Sequence, residues 1–202
     1  MESAASGALR AICLACVPMF LLAPAVAPAQ APLQSSLGAE VTRPQDAAQA
    51  ALKAGNAQRA LEIADTGLKT FPYDATLRFV RGVALTSLQR LPEAEQAFEA
   101  LTREFPELPE PYNNLAVVRA AQGRLDLARE ALEGAIRAVP DYAVAHENLG
   151  DIYARLAARS YQTAQQLDPA NKTVAPKLKL VSAVPVQSAP RPTARPAGGN
   201  SR

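Results

Sequence analysis

Few side chains in this 202-residue chain are of types that do chemistry, and their spacing offers little to react with. His146 is the single histidine, and both cysteines, Cys13 and Cys16, lie near the N-terminus. Nucleophilic catalysis needs a Ser, Cys or Thr beside a base that is itself oriented, and one isolated imidazole does not make that arrangement. Glu147 and Asp151 are one helical turn apart, so their carboxylates share a face. Neither belongs to a metal-ligand pattern, and a solvated lining is the simpler reading. Asp126 with Glu130, and Glu95 with Glu99, read as ordinary helix-surface charges. The ten glycines are scattered, and none forms a phosphate-cradling loop. These residues predict no catalysis, no metal and no cofactor.

The elements that hold these residues are periodic. Pro72, Pro106 and Pro140 are spaced by one interval, preceded by Phe71, Phe105 and Val139. Ala60, Ala94 and Ala128 keep that interval, as do Ala48, Gly82, Ala116 and Gly150. Small residues in fixed columns let two antiparallel helices approach closely, a bulky residue before each proline fills the gap between units, and the proline stops the helix. Composition agrees. The chain is alanine-rich, has no Trp and is only 5% aromatic, which suits close-packed helices better than a broad sheet.

The first unit should pair helices over 44–54 and 57–70, with Gly55-Asn56 as the turn. The second should pair 74–88 with 92–104, with Asp74 as N-cap and Pro92 in a first turn. Its apolar stripe is Leu77, Leu85, Leu88, Leu91 and Phe98. The third turns at Gly123, with Leu115, Leu125, Leu132 and Ile136 in the core. In the fourth, the turn and its glycine are missing and Tyr161, Ala164 and Pro169 return early. Apolar positions at Leu149, Ile152, Tyr153, Leu156, Tyr161, Ala164 and Leu167 keep helical spacing throughout. One continuous helix over 142–167 follows. It is either a terminal cap, covered by a last helix near 171–183, or an exposed dimerisation arm.

Tyr112-Asn113-Asn114-Leu115-Ala116, followed by Gly123, Ala128, Ala135 and Pro140, resembles the tetratricopeptide repeat. His146-Glu147-Asn148-Leu149-Gly150 with Tyr153 matches nearly as well, and the resemblance covers roughly Val41–Pro169. It implies an all-α right-handed solenoid of about three full repeats plus a fused fourth, with a concave groove lined by the first helix of each unit. A protein or peptide partner, rather than nucleic acid or a small molecule, is the ligand it implies. His146, in the column of Tyr112, then reads as a semi-buried packing residue rather than a pH sensor.

By helical phase the groove should expose Phe79 and Val83; Asn113, Asn114 and Val117; and Glu147, Asn148, Asp151 and Arg155. In related repeats an asparagine in the column of Asn114 and Asn148 hydrogen-bonds the backbone of an extended peptide; equally, asparagine is simply common there. The basic residues of the carboxylate clamp found in some relatives are replaced by Gln45, Gln49, Val80, Glu110 and Asn114, which argues against that ligand class. An extended segment with one or two apolar anchors and a basic flank suits the groove.

The ends differ from the body. Residues 1–29 have the form of a secretory signal: Arg10, an apolar run broken by Pro18 and Pro24, then Ala27-Pro28-Ala29 with cleavage after Ala29. Cleavage would remove both cysteines and deliver a thiol-free protein, expected in the periplasm. Residues 30–43 read as a flexible lead-in, 44–183 as the helical domain and 184–202 as a disordered Pro-rich tail. Between Gln30 and Asp168, 14 Lys/Arg oppose 18 Asp/Glu; after Asp168 there are six Lys/Arg and no acid. Net charge is only +2, too small to imply a nucleic-acid or membrane partner.

Overall fold

A computed structural model describes residues 43–183, and the leader, most of the lead-in and the tail lie outside them. The described residues form eight α-helices: α1 (Pro44–Lys53), α2 (Ala57–Thr70), α3 (Ala75–Ser87), α4 (Leu91–Glu104), α5 (Pro109–Ala121), α6 (Leu125–Ala138), α7 (Ala143–Leu167) and α8 (Val174–Ser182). None of them is long and apolar enough to cross a membrane. Each consecutive pair packs together, which makes an α-solenoid of helix pairs.

Local chemistry sets the boundaries. Asp74 caps α3, its Oδ1 accepting from the Leu77 amide at 2.8 Å, and Asn56 caps α2 by accepting from the Arg59 amide at 3.0 Å. Pro92 and Pro109 occupy first-turn positions, where the missing N–H costs nothing. Gly55 (φ 74°) and Gly123 (φ 78°) turn the first and third units through the left-handed region. The second unit turns at Gln89 with φ 60°, a conformation that costs a side-chain-bearing residue about 1–2 kcal/mol.

The small-residue columns behave as their spacing requires. Ala48, Ala60, Ala94, Ala116 and Ala128 are fully buried. A Cβ built on Gly82 would stand 2.8 Å from the Phe98 ring, closer than packed atoms allow. Leu77, Leu85, Leu115, Leu125, Leu132 and Phe98 are buried as expected, while Leu88, Leu91 and Ile136 pack against that core from its edge. The residues before the prolines divide. Phe105 packs against the core, but Phe71 is 48% exposed and fills no gap between units.

The fourth unit contains the continuous helix that its spacing implied. α7 runs 25 residues without a turn, and α8 returns against it, touching no other described helix. A covering helix is therefore present, yet it covers only part of α7. Arg159 reaches Asp126 at 2.8 Å, so α7 still touches the start of α6 two turns beyond Tyr153.

Candidate functional site

The first helices of the units pack side by side, α1 on α3, α3 on α5 and α5 on α7. The second helices α2, α4 and α6 make no such mutual contacts. Close spacing on one layer and wide spacing on the other curves the array, with the first helices on the inner, concave side. All nine candidate residues lie on that layer, in α3, α5 and α7.

Their exposure corrects the helical-phase expectation. Phe79 is only 4% exposed and stacks edge-on against Phe98, with ring centroids 5.8 Å apart. Val117, Asn113, Asn114 and Asn148 are likewise buried. Val83, Asp151 and Arg155 are half-buried, and Glu147 is exposed. Phase assigns a direction about one helix axis, but neighbouring first helices on a concave layer stand close enough to close over part of it.

The asparagines are structural partners of one another and of the backbone. Asn148 Nδ2 donates to Asn113 Oδ1 at 2.6 Å, joining α7 to α5. Asn114 Nδ2 donates to the Glu110 carbonyl at 2.8 Å, inside α5. Two asparagines in one repeat column therefore do different work. Buried amides hydrogen-bonded in this way hold the register between units. Arg155 Nη2 donates to the Ala120 carbonyl at 3.4 Å, a second link from α7 to α5. Glu110, in the first turn of α5, is 6% exposed, and its Oε2 has no hydrogen-bond partner among the described residues. It lines a small cleft with Phe79, Leu101, Leu108 and Pro111.

His146 is not the packing residue its column implied. It is exposed, with Nε2 2.8 Å from the Pro140 carbonyl oxygen. Tyr112, in the equivalent position, packs over Gly134 and donates to the Thr102 carbonyl at 3.2 Å. His146 lacks such cover because α7 runs on, so no second helix folds back over it.

Charge is concentrated on the outer side. Arg119 donates to Glu95 at 3.2 Å and Glu99 at 2.9 Å, and Arg124 also pairs with Glu95. Burial alone would raise the Glu95 pKa, but hydrogen bonds from Arg124 and Arg119 outweigh it and hold the carboxyl below its ordinary value. Arg78 and Arg81 stand where the third unit has Tyr112 and Leu115. They line an open cleft of about 420 Å³ with Leu68, Pro72, Glu93, Gln96 and Ala97. Each is paired, Arg78 with Glu104 and Arg81 with Asp65 at 2.7 Å. The substitution of arginine for bulky apolar residues in those two columns is visible in the sequence once the units are aligned. Among the described residues no group of His, Cys, Asp and Glu could hold a metal ion.

The comparisons with known proteins agree with this geometry. The tetratricopeptide repeat family matches residues 46–109 and 113–172, more than half of the chain. No curated protein matches the sequence. Among solved structures, the first such domain of human RPAP3 is similar over 58% of this chain and 92% of that one, at 20% identity and a TM-score of 0.55. A MamA structure from Desulfovibrio magneticus RS-1 is similar over 71% and 76%, at 22% identity and a TM-score of 0.50. An O-GlcNAc transferase mutant of Thermobaculum terrenum is similar over 52% of this chain but only 20% of that one, at 20% identity and a TM-score of 0.50. At these identities the likeness is one of fold. The matched repeats and the paired-helix architecture together place this chain in the tetratricopeptide repeat family.

Proposed function

We propose that this protein is a non-catalytic adaptor of the cell envelope, gripping an extended segment of a partner protein on its concave layer. Repeats of this kind are in general protein–protein interaction scaffolds, and that much follows from the family. The observation that carries the finer reading is the gradient along the layer. Half-buried Val83 stands at its middle, and the carboxylates Glu147 and Asp151 stand on α7 toward its C-terminal end. An apolar anchor followed by a basic flank is the complement of that gradient. Asn113 and Asn148, bonded to each other across α5 and α7, and Asn114, bonded to the Glu110 carbonyl within α5, form the floor beneath the ligand. Glu147→Lys with Asp151→Lys should abolish capture of the partner from an envelope extract while leaving helicity intact. Capture at the parent level by that variant would remove the groove from consideration.

Envelope location rests on the leader, with export and cleavage after Ala29 giving a periplasmic protein. Sequencing the N-terminus of the native protein tests this: Gln30 is expected first, and an intact Met1 in the cytosolic fraction would refute export. A structural role, with two copies pairing through α7, is the second reading. The exposure of Tyr153 on that helix favours it. A solution mass at micromolar concentration separates the two readings, because the adaptor is expected as a helical monomer.

A further inference from the structure

The first turn of α5 buries an acid with one oxygen unbonded, and we infer that Glu110 and the cleft beside it seat the ammonium head of a lysine from the partner's segment. Glu110 is 6% exposed, and its Oε2 has no hydrogen-bond partner among the described residues. The bond from Asn114 goes to the Glu110 backbone carbonyl and does not answer the carboxyl. Polar atoms shut away from water are nearly always paired, so a lone carboxyl oxygen in an apolar cleft marks a place for a donor.

Repeat packing does not call for an acid at this position. The equivalent residue is Thr76 in the second unit and Val144 in the fourth. Both are half-buried, so α3 and α7 fill the same place without a carboxyl.

The cleft defines what the donor must be. Glu110 is the one charged residue lining it, and the others are Ala75, Phe79, Leu101, Leu108 and Pro111. Phe79, Leu101 and Pro111 are buried while Ala75 and Leu108 are half-buried, so the cleft opens beside the last two. Its free space is about 10 Å³, the room taken by about one water or one ammonium group. A guanidinium, a planar fork of several N–H donors, needs more. A hydroxyl fits but brings no charge to the acid. An apolar stem ending in an ammonium meets both demands: its methylenes lie along Leu108 and Pro111, and its head donates to Oε2. A turn about the last side-chain bond of Glu110, a torsion with broad preferences, brings Oε2 to the head.

This assignment rests on the reading that a partner segment lies along the first helices. Val83 is one turn beyond Phe79 on α3, about 6 Å along the axis, so one extended segment can reach both the seat and the rim.

Titration of the full chain with n-propylammonium chloride tests it, read from the NMR signals of the Phe79 ring and the Leu101 and Leu108 methyls. Saturable shifts are expected, with an apparent Kd at least about fivefold lower than for 1-propanol or n-propylguanidinium at matched chloride. A smaller preference, or no saturable shift because the cleft admits water only, would overturn the proposal. Glu110→Gln, which keeps the size of the side chain, should remove the preference for the amine over the alcohol at unchanged helicity. A preference that survives in this variant would contradict the assignment equally. The comparison of the three solutes needs no variant, so it decides the matter by itself if the glutamine variant fails to fold. The probe is a free amine, so its failure strikes this seat alone. Amine binding alongside capture that survives Glu147→Lys with Asp151→Lys would uphold the seat and strike the groove.

Discussion

At the scale of single residues, close approach and backbone conformation set the largest expected effects. A Cβ on Gly134 would stand 2.7 Å from Tyr112, whose ring is anchored through its hydroxyl. Gly134→Ala should therefore cost about 1–3 kcal/mol despite its better helix propensity, read as a lowered urea midpoint at constant slope. Gln89→Gly should act in the opposite sense, relieving the left-handed strain at the α3–α4 turn and raising stability by up to about 1 kcal/mol. Glu95 links the fold to pH. Its carboxyl is held below the ordinary value of 4.5 in the folded state, so the unfolded chain binds more protons in acid. The stabilisation is complete above that value and is lost as pH falls through the lower folded-state value. Glu95→Gln should flatten the acid limb of the stability profile, measured by thermal unfolding between roughly pH 5 and 3.

At the scale of elements, α7 distinguishes this chain from a regular array. An uninterrupted helix predicts that Ala158→Pro, near its middle, costs about 3 kcal/mol by removing a hydrogen bond and clashing with the preceding turn. Were there a turn at that point, proline would be tolerated at the start of a second helix. Loss of helicity by circular dichroism with a lowered melting temperature is the expected outcome. How far the elements could be read in advance follows from what encodes them. Pro72, Pro106 and Pro140 end helices through covalent geometry, and Asp74 caps through its own side chain, so both are legible locally. The fused α7 was legible because its apolar positions keep one phase. The burial of Phe79 and Asn113 was not, because it depends on contacts between elements: Phe79 lies against Phe98 of α4, and Asn113 is bonded by Asn148 of α7. Phe71 and His146 are both exposed where their columns imply packing. Column identity assumes a complete neighbour, and for His146 the fused helix removes it. Arg78 and Arg81 are legible as two charged residues in the columns that hold Tyr112 and Leu115 in the third unit.

At the scale of the whole helical array, packing of α1, α3, α5 and α7 side by side makes one continuous layer. Its floor is stitched between α5 and α7 by the bond from Asn148 to Asn113, and its open rim is left to Val83, Glu147 and Asp151. That division places the asparagines in the packed floor, and the proposed function gives recognition to the rim. The central claim is that partners engage the inner layer and not the outer one. A photo-crosslinking amino acid placed singly at Val83, at Asp151 and at Gln96, which lines the outer cleft, tests this directly in the native envelope. The same covalent adduct is expected from Val83 and Asp151 and none from Gln96. Adducts from Gln96 with none from the two inner positions would contradict it.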